Sequence, residues 1–212
     1  MKAFQKVFAE EGLSLSREEY YTRYLGLPDR DIVKDTLRRK GRGAEVDVID
    51  HLLARKAMAY REMVRRDLPE VSGAASFILQ AASHYPVAVA SGAIRVEVED
   101  GLYRLGVRDA VSAVVTIEDV TRGKPDPEIF FTARAALICV ASSPGARIPL
   151  SPSEPAASFL VIEDSPAGLA AARAAWMPAV GVATSCAPSD LRPATLVVPD
   201  LASLSLDTIS RI

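Results

Sequence analysis

Leu160-Val161-Ile162-Glu163-Asp164-Ser165-Pro166-Ala167-Gly168 is an apolar run that stops on two acids and turns into a helix start. The four-residue run Phe159–Ile162 is short and partly β-branched, which reads as a buried strand. Ser165 can accept a hydrogen bond at the following helix N-terminus, and Pro166 suits the first helical position. Adjacent like charges are unfavourable unless a cation shares them. The pair Glu163 and Asp164 therefore points to a cation at a strand tip, and Mg²⁺ is suited to carboxylate oxygens plus water.

The same strand-then-helix layout recurs upstream and downstream. Short apolar runs stand at Val87–Ala90, Ala113–Thr116, Ala179–Val182 and Leu196–Val198. Helical stretches fall between them at Ile94–Leu105, Pro127–Leu137 and Ala167–Ala175. Buried strands alternating with helices predict a parallel sheet covered on both faces. In such a sheet ligands bind beyond the carboxyl ends of the strands.

Two further junctions have chemistry at that position. Val87-Ala88-Val89-Ala90-Ser91-Gly92-Ala93 ends a strand in a hydroxyl, followed by a glycine that lets backbone amides approach an anion. Taken alone, Ser91 reads as a helix cap before it reads as a phosphate ligand. Gly123-Lys124-Pro125-Asp126-Pro127-Glu128-Ile129-Phe130 holds Lys124 in a turn stiffened by two prolines, with Asp126 as helix cap. A fixed ammonium can neutralise a phosphoryl oxygen and a neighbouring carboxylate.

The front of the chain is helical. Ala3, Phe4, Val7 and Phe8 share one face, Ser16 precedes Arg17-Glu18-Glu19, a third helix runs from the Gly26-Leu27-Pro28-Asp29 break to about Lys40, and a long helix spans Val46 to Arg66. Val48, Leu52, Ala59 and Met63 are expected on its buried side. Four helices with short turns predict a small bundle over residues 1–68, followed by an α/β unit over 69–212. The segment 141–158, rich in Pro, Ser and Ala, reads as a long surface loop.

Composition excludes several classes. There are 25 basic and 27 acidic residues and no long basic stripe, which argues against nucleic acid as a partner. No uncharged apolar run is long enough for a membrane span. Lys2, Lys6, Glu10 and Glu11 break any signal-peptide pattern. Cys139 and Cys186 lack metal-site spacing and read as reduced thiols, so a cytoplasmic setting is expected.

In this order, each after a strand, the three junctions resemble motifs two, three and four of the haloacid dehalogenase superfamily. The closest likeness is to its β-phosphoglucomutase and phosphoglycolate phosphatase branch. The resemblance implies a Rossmann-like parallel-sheet core with an α-helical bundle cap. It also implies a Mg²⁺-dependent phosphohydrolase acting on a small phosphorylated metabolite through an aspartyl-phosphate. Ser91, Gly92 and Lys124 would hold the phosphoryl group, Glu163 and Asp164 the metal, and Arg30 on the cap loop Tyr24-Leu25-Gly26-Leu27-Pro28-Asp29-Arg30 would meet the substrate.

One part of the family pattern is not found. Members carry Asp-x-Asp-Gly after a first strand, and the first aspartate attacks phosphorus. Here Met1 already lies in the first cap helix; Asp47-Val48-Ile49-Asp50 has the wrong spacing, and Asp29-Arg30-Asp31 lacks the strand and the glycine. The expectation is an N-terminally truncated member without its central first strand, showing little or no turnover. The strands ending at Ser91 and Asp164 would then be roughly 9.6 Å apart, two strand spacings. The resemblance leaves two alternatives. One is a phosphomutase, although Leu25 stands where that branch has a basic group. The other is a non-catalytic protein that binds a phosphometabolite or a protein partner. Trp176, standing where the family closes a helix with glycine, is expected to be strained there.

Overall fold

The computed structural model describes residues 1–66, 70–143, 146 and 148–212. The expected boundary at 68/69 lies outside the described residues, as does part of the 141–158 segment.

Helix α1 (Lys2–Glu10) buries Ala3, Phe4, Val7 and Phe8, as their shared face requires. Helix α2 (Arg17–Glu19) is capped by Ser16, whose Oγ accepts the Glu19 N–H at 3.0 Å, and passes into a π-helical turn, Tyr20–Tyr24. Gly26 follows with φ +82°, a conformation that favours glycine. Helices α3 (Asp29–Arg39) and α4 (Val46–Arg66) complete a bundle whose core joins Phe4, Phe8, Tyr24, Ile32, Val33, Leu37 and Leu52. Val48 is a correction: it is exposed, and the buried stripe of α4 runs Ile49, Leu52, Lys56, Ala59. Leu52 and Ala59 are buried as expected, Ile49 takes the place of Val48, and a lysine lies inside the stripe.

The second unit alternates as expected: α5 (Ala74–His84), β1 (Ala88–Ala90), α6 (Arg95–Arg104), β2 (Ala113–Val115), α7 (Glu128–Ala141), β3 (Val161–Glu163), α8 (Pro166–Ala174), β4 (Ala179–Val182), β5 (Leu196–Val198) and α9 (Leu206–Ile209). Every strand pair is parallel, with registers Val89 to Val114, Ile162 to Val180 and Gly181 to Val197. The strands form two sheets, β1-β2 and β3-β4-β5, which are not hydrogen-bonded to each other among the described residues. Between β1 and β3 lies a cavity of about 620 Å³, walled by Phe77 and Ala81 of α5 and by Phe130, Ala133 and Leu137 of α7. The two sheets therefore stay apart on either side of this cavity.

At the end of α8, Trp176 closes the helix with φ +60° and is 82% exposed. Its N–H donates to Arg173 O, and Met177 N–H donates to Ala172 O, both at 3.1 Å. The left-handed conformation costs a residue with a Cβ about 1–2 kcal/mol, so the expected strain is present. No helix among the described residues is long and apolar enough to cross a membrane.

Candidate active site

The core wall of the main cleft is built from three strand tips. After β1, Ser91 N–H continues the ladder to Val115 O at 2.9 Å, while its Oγ accepts the Ala93 N–H at 3.1 Å. The chain turns here because α6 begins only at Arg95, so Ser91 caps a turn rather than the helix itself. The loop from Thr121 to Pro127 is fixed by its own acids. Asp126 Oδ1 accepts the Glu128 N–H at 3.0 Å, and Glu128 accepts the N–H groups of Thr121 and Arg122, each at 2.9 Å.

That loop fixes Lys124, which is buried over the Phe130 ring at 5.1 Å. Its ammonium is ion-paired with Glu163 and donates to Ala90 O at 3.2 Å, so one charge joins the ends of β1 and β3. Glu163 also accepts the Ser165 hydroxyl at 2.9 Å and the Asp164 N–H at 3.2 Å. Gly168 lies beneath it, and a Cβ there would overlap the Glu163 carboxyl group. Asp164 accepts the Ser185 hydroxyl. Burial pushes its carboxyl up from the usual range, with Glu163 adding to the rise and the Ser185 hydrogen bond opposing it.

The cap wall faces these groups across a cleft of about 530 Å³. Gly26 packs directly on Ser165, and Pro28 on Gly123, so the cap loop is seated on the core. Lys56 ties the two units together: its Nζ lies 2.6 Å from Asp29 of the cap and 2.9 Å from Glu97 of α6, with the Phe4 and Tyr60 rings beside it. Burial alone would lower the lysine, but the two carboxylates outweigh it and hold it above its ordinary value. Glu97 is raised, because burial exceeds the help of a lysine that it shares with Asp29. Burial also raises the Tyr20 phenol to about 12.

Ser91, Gly92, Lys124, Glu163 and Asp164, each singled out in the sequence, thus line one cleft. Arg30 does not join them: it is half-exposed and paired with Asp50 along the outer cap surface. Lys56, Asp29 and Glu97 were not expected. The signal for Lys56 was available, since a lysine falls at i+7 from Ile49 on the buried stripe of an amphipathic helix.

Among the described residues no three His, Cys, Asp or Glu side chains cluster as ligands. Glu163 is committed to Lys124, which leaves Asp164 as the carboxylate free to meet a cation. A hard cation that keeps most of its waters needs no more than one or two such groups, so the donor set fits Mg²⁺ through Asp164.

A family model described as haloacid dehalogenase-like hydrolase matches residues 1–182. Validoxylamine A 7'-phosphate phosphatase of Streptomyces hygroscopicus subsp. limoneus is 33% identical over 119 residues, 56% of this chain and 49% of that protein. β-Phosphoglucomutase of Bacillus subtilis is 36% identical over 108 residues, 51% of this chain and 40% of that protein. The chain therefore spans about half or less of the curated relatives it matches. Among solved structures, β-phosphoglucomutase from Clostridium difficile superposes with TM-score 0.82 at 19% identity, covering 99% of this chain and 87% of that one. CbbY from Rhodobacter sphaeroides, in complex with phosphate, gives TM-score 0.80 at 21% identity, covering 99% and 90%. At those identities the structures speak for the fold, while the family model covers most of the sequence and all three strand-tip motifs: the chain belongs to the haloacid dehalogenase-like hydrolases.

Proposed function

We propose that residues 1–212 form the cap and core of a Mg²⁺-dependent phosphatase for a small phosphorylated metabolite. The observation that carries this reading is the meeting of Ser91, Lys124 and Asp164 in one cap-covered cleft. Ser91 Oγ and the amides after it would hold phosphoryl oxygens, and Lys124 would offset their charge. Asp164 would hold the metal, whose charge would stabilise the phosphoryl oxygens in the transition state. Glu163 orients Lys124 rather than binding metal. The distal wall offers two carboxylates around an already paired lysine, which suits the hydroxyl groups of a polyol or sugar better than a second anion. Arg30 keeps no place in this reading, because it is paired with Asp50 and does not line the cleft. A cytoplasmic setting belongs to the reading and is supported by two unpaired thiols, Cys139 and Cys186.

Transfer through an aspartyl-phosphate requires a further carboxylate beside Lys124. Glu163 is occupied by the lysine and Asp164 by the cation, so residues 1–212 alone are expected to bind phosphate and turn over little. The test has two arms. Inorganic phosphate with Mg²⁺ should raise the melting temperature of the purified chain, and Asp164→Ala should remove the Mg²⁺-dependent part of that shift. Turnover of p-nitrophenyl phosphate should stay near background. Brisk hydrolysis by 1–212 that is lost in Asp164→Ala would refute the low-turnover expectation, and no phosphate-dependent shift at all would refute the phosphatase reading.

A further inference from the structure

We infer that Ser185, at the tip of β4, is the positioning residue that holds the Asp164 carboxylate off Lys124 and open to a divalent cation. The inference rests on the phosphatase reading and deepens it, because it says what keeps the acid and the ammonium of the site from cancelling each other.

The chain turns across the site just past β4. Ala183 N–H carries the ladder one residue beyond the strand, donating to Val198 O at 2.8 Å. Thr184 N–H then turns back to Val182 O at 2.9 Å. That tight reversal brings two consecutive side chains to Asp164. Ser185 Oγ donates to Asp164 Oδ2, and Cys186 Sγ donates to the Asp164 carbonyl at 3.5 Å. Ser185 is half-buried and does not line the cleft, whereas Thr184 and Asp164 do. The hydroxyl therefore holds the carboxylate without filling the space a ligand needs.

The neighbouring groups are committed elsewhere. Ser165 donates to Glu163 and accepts the Gly168 N–H at 3.0 Å, and Glu163 is held by Lys124. Among the described residues Ser185 is the one side chain bonded to the Asp164 carboxylate, and it takes a single oxygen. Oδ1 is left for a cation, which suits a hard ion that keeps most of its waters.

What Ser185 prevents follows from the lysine. An ammonium has three protons. Glu163 takes one and Ala90 O takes another, at 3.2 Å, so one remains for a phosphoryl oxygen. Asp164 stands within electrostatic reach of it: burial pushes the carboxyl up, and Lys124 is among the groups that pull it down. A buried carboxylate that loses its hydrogen-bond partner gains by turning to the nearest cation. Asp164 on the third proton would remove the metal ligand and the phosphoryl donor in one movement.

The test is binding rather than turnover. Mn²⁺, followed by electron paramagnetic resonance and displaced by Mg²⁺, is titrated onto the purified 1–212 chain. Inorganic phosphate is titrated separately by calorimetry, without metal. Ser185→Ala should bind Mn²⁺ about tenfold more weakly, as loss of an outer hydrogen bond to a ligating carboxylate does. It should bind phosphate roughly fivefold more weakly, the worth of one hydrogen bond. Ser185→Thr keeps the hydroxyl and should bind both as the natural chain does. A purely structural role would lower the unliganded melting temperature of Ser185→Ala and leave both affinities unchanged, which would overturn the inference. So would loss of Mn²⁺ binding with phosphate untouched, because Asp164 would not then have reached Lys124, or a threonine variant as weak as alanine. If the natural chain binds neither Mn²⁺ nor phosphate, the phosphatase reading falls and takes this inference with it; undiminished binding in Ser185→Ala removes this inference alone.

Discussion

The two walls of the cleft each bury a lysine, and the two lysines were not equally visible. Lys124 on the core wall joins β1 to β3 through Ala90 O and Glu163. Lys56 on the cap wall joins cap to core through Asp29 and Glu97. Both lie against aromatic rings. The first has one carboxylate partner and a backbone carbonyl; the second divides its charge between two acids. The Lys124–Glu163 pair is therefore balanced, while Lys56 and its two acids keep one negative charge in excess.

Removing Lys124 should have the largest effect. Lys124→Ala leaves the Glu163 carboxylate buried without its cation, and losing one partner of a buried pair costs about 3–5 kcal/mol. Urea unfolding followed by circular dichroism measures it. A loss under 1 kcal/mol would show that the core wall is no tighter than an exposed pair.

Lys56→Met keeps the aliphatic stem but strands two acids, at about 2–3 kcal/mol near pH 8. This loss should shrink toward pH 5. Burial already raises Glu97, so its ionisation disfavours the fold as pH rises above its unfolded value. Without the lysine its folded value moves further up, and the variant regains stability as the group takes a proton. Equal losses at pH 5 and pH 8 would show that this excess negative charge is not felt.

Gly168→Ala tests whether core-wall precision rests on packing. A Cβ would displace Glu163, costing about 1–3 kcal/mol and weakening phosphate binding more than Lys56→Met does. Arg30→Ala should be the smallest change, within about 0.5 kcal/mol and silent for phosphate, since it removes only a half-exposed pair with Asp50. A larger effect on phosphate binding would return Arg30 to the cap wall in place of Lys56.

The strands were legible because a parallel strand buried on both faces is a short apolar run that ends abruptly in Ser91 or Glu163. The site followed from those endings, since chemistry there sits where the run stops. The cap wall was harder to read. Lys56 lies mid-helix, where nothing local separates a buried lysine from a solvated one except its register with Ile49, Leu52 and Ala59. Arg30 was singled out because it follows the cap loop, and the structure pairs it with Asp50 on α4. The π-helical turn at Tyr20–Tyr24 left no sequence mark, although it brings Tyr20 to the cleft.

Trp176 has a practical consequence. It is the one tryptophan of the chain, and its indole already stands in water at the end of α8. Its emission should change little when the protein denatures, so the usual optical reporter of unfolding is nearly silent. The same position offers a remedy. Trp176→Gly would relieve the left-handed strain and darken the background, and Phe77→Trp would then give the cavity between the sheets a signal of its own.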